Sequence, residues 1–160
     1  EAFTRAGGGK LHHVKPHGAL YNRAARDAEQ AEAILHAVYY FDKTLQVYGP
    51  AGSELHNAAL KIGLGFCREA FADRSYQANG SLTPRSQPGA LIKDVVLAVQ
   101  QVVQIIENGT VTAQDGTIVP MQADTICIHG DGLYALEFTK AIRNTLTEKG
   151  IAIQAPPVYA

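Results

Sequence analysis

The chain has no tryptophan, a single methionine and only two cysteines among its 160 residues. Cys67 and Cys127 both lie in apolar, strand-like surroundings, where a free cysteine usually behaves as a small buried hydrophobic residue. Two such thiols argue against a disulfide-rich secreted framework. They fit the reducing environment of the cytoplasm, which is the compartment we predict.

Charge of one sign and long hydrophobic runs are also missing. The formal net charge is −1, from 14 basic and 15 acidic residues spread along the chain. This balance provides no basic surface for nucleic acid or for an anionic membrane. No apolar run approaches the roughly 20 residues that a membrane-spanning helix needs. We therefore predict neither nucleic acid nor membrane as a partner, and we favour chemistry on a small molecule.

What the sequence does have is the composition of a globular protein, with 46% hydrophobic and 18% charged residues. That content suits one hydrophobic core, so we predict a single domain over residues 1–160. Strand-like and helix-like segments alternate along it, which implies parallel strands joined by right-handed crossovers in an open sheet or a barrel. The predicted fold class is α/β.

Hydrophobic spacing and capping residues predict where the elements lie. Ser53 and Asp94 each precede a helical pattern as N-cap residues, and Gly63 and Gly109 each follow one as a stop signal. The predicted helices cover residues 1–6, 23–40, 53–62, 94–108 and 133–149. The predicted strands cover residues 11–15, 44–48, 64–70, 125–129 and 151–153, with a small hairpin over residues 111–119.

One segment combines an amine with an imidazole at the end of a strand. It runs Val14-Lys15-Pro16-His17-Gly18-Ala19-Leu20-Tyr21-Asn22. Alternate side chains of a strand share a face, so Lys15 and His17 point together, and Pro16 and Gly18 end the ladder there. A base beside a cation at the carboxyl end of a strand indicates chemistry, because α/β folds place their sites at that edge. The plainer alternatives are a turn-capping His17 and a solvated Lys15.

Two later stretches carry residues of the same kind. One is Phe71-Ala72-Asp73-Arg74-Ser75-Tyr76-Gln77, continuing through Gly80-Ser81-Leu82-Thr83-Pro84-Arg85-Ser86-Gln87-Pro88-Gly89-Ala90-Leu91-Ile92. The other, ahead of a predicted helix, is Cys127-Ile128-His129-Gly130-Asp131-Gly132. Together with residues 14–22, these stretches resemble three motifs of the LamB/YcsF family, in the family's order. The family's Asp-rich first strand and its Gly-Phe-His-Ala-Gly type segment have no counterpart in this sequence.

The resemblance implies a fold. LamB/YcsF proteins are irregular, TIM-like barrels of about seven strands, so the chain would form the C-terminal two-thirds of such a barrel. Either the missing N-terminal segment of the same barrel completes it, or the chain self-associates as a homo-oligomer, because open sheet edges associate. On this interpretation Ile126 and Ile128 face the helices, whereas Cys127 and His129 face the lumen opposite Lys15.

The resemblance also implies an activity in lactam utilization. This is the ATP-dependent hydrolysis of 5-oxo-L-proline to L-glutamate, carried out with the 5-oxoprolinase subunits B and C. Such a site must bind a carboxylate, stabilise charge on the attacked carbonyl oxygen and supply a base for water. The candidates for these three tasks are, in order, Arg74 or Arg85, then Lys15, and then His17, Asp73 or His129. The further predicted substrate-binding residues are Asn22, Tyr76, Ser86 and Asp131.

The neighbourhoods of these candidates add two expectations. Asp73 and Arg74 are adjacent and point to opposite sides if the chain is extended there, so they need not pair with each other. The stretch of residues 79–89 contains two glycines and two prolines and is long for a connection, which is typical of lids and binding loops. Asp131 has a second interpretation, as the N-cap of the helix that follows it.

Two tempting signals are discounted. Gly7-Gly8-Gly9-Lys10 lies between a helix and a strand, whereas a phosphate-binding loop leads from a strand into a helix. His13 and His17 are four positions apart, but Pro16 prevents the helix that a zinc motif of this spacing needs. We assign no metal ligand in this sequence. A metal bound by residues of the N-terminal part of the barrel, which this sequence does not contain, stays an open alternative.

Two other functions stay open at this point. The chain could be a non-catalytic scaffold that docks partners, or a metal-dependent, deacetylase-like amidohydrolase by analogy with related barrels. Reconstitution with partners tests the first alternative, and metal analysis tests the second.

Overall fold

The structure is a computed structural model that describes residues 1–156, so the last four positions of the predicted single domain lie outside it. The described residues contact one another in two compact units. The first unit comprises Glu1–Arg68 together with Pro156, and the second comprises Glu69–Ala155. Within residues 1–156, no helix is both long enough and apolar enough to span a bilayer.

The first unit alternates short strands with helices. In chain order its elements are α1 (Ala2–Ala6), β1 (His13–Val14), α2 (Gly18–Ala24), α3 (Ala28–Asp42), β2 (Gln46–Pro50) and α4 (Glu54–Ile62). Strand β3 (Phe66–Phe71) begins in this unit and ends in the second. Strands β1 and β2 are parallel, with His13 opposite Gln46.

The core of the first unit lies between its helices and its strands. Leu35 of α3, Val47 of β2 and Leu55 of α4 are fully buried in one cluster. Apolar residues of α3 recur at helical spacing, so one stripe of the helix reaches this core while Tyr40 stays exposed. Burial of this stripe stabilises α3 more than its intrinsic helix propensity does.

The helix predicted over residues 23–40 is wrong in extent, because two helices occupy this region. Helix α2 ends at Ala24, and α3 begins at Ala28. The Asp27 side chain accepts a hydrogen bond from the backbone N–H of Gln30 at 3.0 Å, which is the N-cap geometry that starts a new helix. The apolar spacing continues across the break, so spacing alone did not reveal it.

The second unit contains the end of β3 and five further elements. They are α5 (Val95–Asn108), β4 (Thr110–Thr112), β5 (Ile118–Pro120), β6 (Thr125–Cys127) and α6 (Ala135–Glu148). Strands β4 and β5 form the predicted antiparallel hairpin. Strands β3 and β6 are parallel, and the hydrogen-bonded order of the main sheet is β1-β2-β3-β6. The α/β class with parallel strands between helices is confirmed, whereas closure into a barrel is not.

Capping residues predicted four helix ends correctly, including the end of α5 at Gly109, where φ is 64°. Ser53 accepts a hydrogen bond from the backbone N–H of His56, and Asp94 accepts from Val96 and Leu97. Gly63 ends α4 in the left-handed conformation, with φ of 80°. These ends depend on contacts within a few residues, which is why the sequence alone predicts them.

Two predictions near the end of the chain are wrong. Residues 151–153 form no strand, and Ile151 instead packs against the cluster that contains α6. Helix α6 begins at Ala135 rather than at residue 133, so Asp131 is not its N-cap. Ile151 reaches the core from a segment without a strand partner, whereas Ile153 is exposed, and an apolar sequence pattern cannot distinguish such a segment from a strand.

The predicted face of β6 is confirmed for its isoleucines. Ile126 and Ile128 pack against the apolar cluster formed by α5 and α6, which includes Val102 and Phe138. Because strand side chains alternate, the residues between and after these two isoleucines project to the other face of the sheet. His129 lies in the loop after β6, two residues beyond the end of the strand.

Candidate functional site

A carboxylate and an imidazole form a bonded pair in the second unit. The Nδ1 atom of His129 lies 2.8 Å from Oδ2 and 3.0 Å from Oδ1 of Asp73. The backbone N–H of His129 donates to the same carboxylate, with 3.0 Å between N and Oδ2. Two donors from one residue therefore hold the Asp73 carboxylate in place, and they hold the imidazole against it.

Strand register brings this pair together. In the ladder between β3 and β6, Phe71 lies opposite Cys127, and the N–H of Ala72 donates to the carbonyl of Cys127 at 3.0 Å. Asp73 and His129 each lie two residues beyond these partners, at the carboxyl ends of neighbouring parallel strands. Open α/β sheets bind their ligands at this edge.

The contacts of His129 with the Asp73 carboxylate favour a proton on Nδ1. An ionised carboxylate only accepts hydrogen bonds, so beside it Nδ1 of His129 is the donor, and in the neutral form of the imidazole Nε2 then carries the lone pair. The Phe71 ring stacks on the imidazole, with 5.5 Å between ring centroids and 18° between planes. The His129 side chain is 28% exposed and that of Asp73 is 13% exposed. This arrangement suits a general base that is oriented by a less accessible acid.

Arg74 is buried and its guanidinium binds the protein itself. Its Nε donates to the carbonyl of Ala90 at 3.2 Å, and its Nη2 donates to the carbonyl of Thr83 at 2.6 Å. Burial, together with repulsion from Arg85, lowers the pKa of Arg74. The Arg74 guanidinium bonds to these carbonyls, whereas the Asp73 carboxylate bonds to His129. This geometry gives Arg74 an internal role, which is to hold residues 83–90. The predicted contact of Arg74 with a substrate carboxylate stays a prediction, and the geometry does not support it.

Tyr76 is also an internal residue. The backbone N–H of Phe71 donates to the Tyr76 hydroxyl at 2.8 Å, and the ring packs in an apolar cluster that includes Met121. Burial raises the pKa of Tyr76, so the phenol stays neutral. The predicted substrate-binding role of Tyr76 stays a prediction without support from this geometry, because the residue is only 3% exposed.

Three other predicted residues lie on the surface of the second unit. Arg85 and Ser86 are exposed in a turn, where the N–H of Gln87 donates to the carbonyl of Pro84 at 2.9 Å. Asp131 is exposed in the loop between β6 and α6. All three side chains are accessible to a ligand, and their substrate contacts stay predictions.

The first unit contains Lys15, His17 and Asn22. The Lys15 ammonium lies 5.7 Å from the centre of the Tyr21 ring, within cation–π range. His17 is the exposed N-cap residue of α2, and its side chain makes no capping hydrogen bond. The Asn22 amide donates to the carbonyl of Gly18 at 3.0 Å. The prediction that Lys15 and His17 act in one site with His129 stays a prediction.

Sequence reasoning missed several buried polar side chains, among them Glu69 and Gln101. Glu69 lies in β3 and is 5% exposed, and Gln101 lies in α5 and is 9% exposed. A signal for Gln101 was present, because it falls on the buried helical stripe of Ala98, Val102 and Ile105. A polar residue on an apolar stripe requires an internal partner.

The two signals discounted in the sequence correspond to no phosphate loop and no metal cluster in the described residues. The glycine-rich residues 7–10 follow α1 and precede β1, which is the reverse of a phosphate-binding loop. Among residues 1–156, no three or more His, Cys, Asp or Glu side chains are grouped so that they could hold a metal ion.

Comparisons with known proteins agree with the three motifs. The 5-oxoprolinase A subunit of Brevibacillus brevis is 53% identical over 155 residues, which cover 97% of this chain and 61% of that protein. The 5-oxoprolinase A subunit of Methylococcus capsulatus is 52% identical over 153 residues, covering 96% of this chain and 59% of that protein. The chain therefore spans about three fifths of the length of these relatives.

A solved structure extends the similarity to the fold. The lactam utilization protein from Thermus thermophilus is 43% identical and superposes with a TM-score of 0.88, over 96% of this chain and 61% of that one. The model of the LamB/YcsF family matches residues 1–159. The resemblance drawn from the motifs is thus confirmed, and the chain belongs to the LamB/YcsF family.

Proposed function

We propose that this chain acts as part of the A subunit of a 5-oxoprolinase, which hydrolyses 5-oxo-L-proline to L-glutamate in an ATP-dependent reaction with subunits B and C. Relatives that are 52–55% identical are named as A subunits of 5-oxoprolinase, and the similar structure is named a lactam utilization protein. The observation that carries the chemical part of this proposal is the bonded pair of Asp73 and His129.

In the proposed reaction, Nε2 of His129 takes a proton from water as the water oxygen forms a bond to the carbonyl carbon of the lactam. The Asp73 carboxylate stabilises the imidazolium that results. The bond between this carbon and the ring nitrogen then breaks, and the nitrogen takes the proton back from His129. The product is glutamate, and the base is regenerated.

Charge on the substrate needs two further groups. We assign the carboxylate of 5-oxoproline to Arg85, which is exposed, rather than to Arg74, whose donors bind backbone carbonyls. We keep Lys15 for the charge that grows on the attacked carbonyl oxygen, and His17 as an additional proton carrier. The assignments of Lys15 and His17 rest on the family motif.

ATP would supply a phosphoryl group that activates the otherwise unreactive amide, and after ring opening a second water would release this group as inorganic phosphate. The glycine-rich residues 7–10 do not fit a phosphate-binding loop for ATP, because they connect a helix to a strand. We therefore assign no residue of this chain to ATP.

We also propose that the described elements are the C-terminal part of a seven-stranded, TIM-like barrel. This proposal rests on the resemblance to the LamB/YcsF family, and the similarity to the Thermus protein covers 61% of that chain. The remaining strands would come from an N-terminal segment of the same barrel or from a second copy of the chain.

The test is the ATP-dependent release of glutamate by the full-length protein in complex with subunits B and C. We expect His129→Asn to lower kcat about 10²- to 10⁴-fold, because this is the range that a positioned acid–base group contributes. His36→Asn is the matched control, since His36 is exposed on α3 and has no assigned role. An unchanged kcat for His129→Asn, with partner binding intact, would overturn the proposal and favour a non-catalytic scaffold.

A further inference from the structure

We propose that Gln101 is a positioning residue, which fixes the backbone on both sides of Asp73 and thereby sets the geometry of the Asp73–His129 pair. This inference rests on the proposed function of the pair. The Gln101 amide donates to backbone carbonyls of the segment that carries Asp73, so its effect on the pair passes through that backbone.

The Gln101 amide bridges the two residues that flank the aspartate segment. Its Nε2 donates to the carbonyl of Phe71 at 2.7 Å and to the carbonyl of Arg74 at 2.9 Å. An amide nitrogen has two protons, so these two bonds use both. The carbonyl of Ala72 lies farther away, at 3.5 Å.

The chain needs such a bridge because the sheet ladder ends here. The bond between the N–H of Ala72 and the carbonyl of Cys127, at 3.0 Å, lies at the end of the pairing between β3 and β6. At this end the carbonyls of Phe71 and Arg74 accept from α5 through Gln101. The Asp73 carbonyl itself accepts from the N–H of Ile92 at 3.0 Å. Helix α5 and the loop before it thus hold the backbone on both sides of Asp73.

The position of Asp73 matters because both of its carboxylate oxygens contact His129. The distances to Nδ1 are 2.8 and 3.0 Å, so a small rotation of the Asp73 backbone removes one contact and turns the imidazole. Misplacement of a catalytic group by about 1 Å costs about 100-fold in rate. Loss of the Gln101 bridge should therefore lower kcat strongly and change the affinity for substrate only a little.

The experiment uses the full-length enzyme with its partner subunits and two substitutions. Gln101→Met keeps the length of the side chain and removes both donors. Gln101→Asn keeps the amide on a shorter stem, which cannot reach both carbonyls. We expect kcat to fall about 10- to 100-fold in both variants, with KM within about twofold of the parent.

A spectroscopic measurement separates positioning from general stability. The Nδ1 proton of His129, held by Asp73, should give a ¹H–¹⁵N signal in ¹⁵N-histidine-labelled protein, assigned by its loss in His129→Asn. In the Gln101 variants we expect this proton to exchange with solvent at least about tenfold faster. Circular dichroism and thermal unfolding show whether each variant is folded.

Gln104→Met is the matched control on the same helix. The Gln104 amide donates to the Thr110 hydroxyl at 3.3 Å and accepts from the Thr112 hydroxyl at 3.1 Å, away from Asp73. We expect Gln104→Met to leave kcat and the His129 signal unchanged.

Folded Gln101 variants with parental kcat and parental proton exchange would overturn the inference. Failure of both variants to fold would also overturn it, because it would assign Gln101 to core stability instead. Failure of the proposed function can be distinguished from failure of the inference about Gln101. If His129→Asn keeps full activity, the proposed function fails, yet the exchange of the Nδ1 proton still decides whether Gln101 positions Asp73.

Discussion

Two strand ends of this protein carry histidines with very different surroundings. His17 follows β1, is exposed, and its side chain makes no capping bond. His129 follows β6, stacks on Phe71, and is held by Asp73 through its ring nitrogen and its backbone N–H. The denser sequence motif surrounds His17, whereas the more completely bonded imidazole is His129.

The comparison teaches that a motif and a preorganised site are different properties. A sequence motif records which residue types occur together, whereas preorganisation depends on hydrogen bonds that orient each group before substrate arrives. The Asp73–His129 pair has such bonds. One contact of the Lys15 ammonium is with the Tyr21 ring, 5.7 Å from its centre, and such a contact has less directionality than a hydrogen bond.

The largest expected effect would break the comparison at Asp73. Asp73→Asn keeps the shape of the side chain but adds an amide donor, which opposes the Nδ1–H tautomer of His129. We expect kcat of the complete enzyme to fall about 10³- to 10⁴-fold, as expected when an aspartate that orients a catalytic histidine is lost. Initial rates of glutamate release measure it. A fall of less than about tenfold would mean that the pair does not act as a base.

Next in size is the loss of core packing in the first unit. Leu35 is fully buried, so Leu35→Ala should lower the free energy of unfolding by about 2–5 kcal/mol. Leu60→Ala is the matched control, because Leu60 on α4 is 67% exposed and should change stability by less than about 0.5 kcal/mol. Urea denaturation measures both values, and equal losses would contradict the assigned core.

A smaller effect on stability is expected in the second unit when the buried hydroxyl of Tyr76 is removed. Tyr76→Phe removes the acceptor of the Phe71 N–H, so we expect a loss of about 1–3 kcal/mol in the free energy of unfolding at pH 7. Burial raises the pKa of Tyr76 in the folded state, whereas the unfolded phenol ionises near pH 10. Stability from the neutral phenol is therefore fully present below about pH 10 and lost as pH rises further.

This linkage predicts that the stability difference between the parent and Tyr76→Phe narrows above about pH 10. Denaturation curves between pH 7 and pH 11 provide the measurement. Tyr40→Phe serves as the control, because Tyr40 is 81% exposed and should leave the curve unchanged. A constant difference across this range would contradict the burial of the Tyr76 hydroxyl.

The smallest effect is expected at the other histidine. Because His17 has no capping bond to orient it, we expect His17→Asn to lower kcat about tenfold, or roughly 1.4 kcal/mol. The same glutamate assay applies, with His36→Asn as the control. A loss for His17→Asn that exceeds the loss for His129→Asn would reverse the order proposed for these two strand ends.

Local signals predicted much of the fold. Ser53, Gly63 and Asp94 mark helix ends through bonds to residues that are close in sequence, so their types and positions were sufficient. The break between α2 and α3 was missed because the apolar stripe continues across it, although Asp27 provided a capping signal. Ile151 was assigned to a strand because an apolar run fits a strand and a packed loop equally well.

The sequence named candidate residues for the site, but it did not show which of them are accessible to a ligand. The sequence placed Asp73 and His129 at strand ends, yet Arg74 and Tyr76 look equally available for a ligand in the same motif. Burial distinguishes Arg74 and Tyr76 from the Asp73–His129 pair, because Arg74 and Tyr76 are buried and bind the protein's own backbone. Burial depends on the neighbouring elements, which a motif does not specify.

By itself, the sequence determined the family, the α/β class and the helix caps, since these depend on residue types and on contacts a few positions apart. Only the tertiary structure decided which imidazole has a carboxylate partner. Asp73 and His129 are 56 positions apart, and they meet because the parallel register of β3 and β6 brings two strand ends side by side. Hydrogen bonds across a sheet join residues by register, which a linear pattern does not encode.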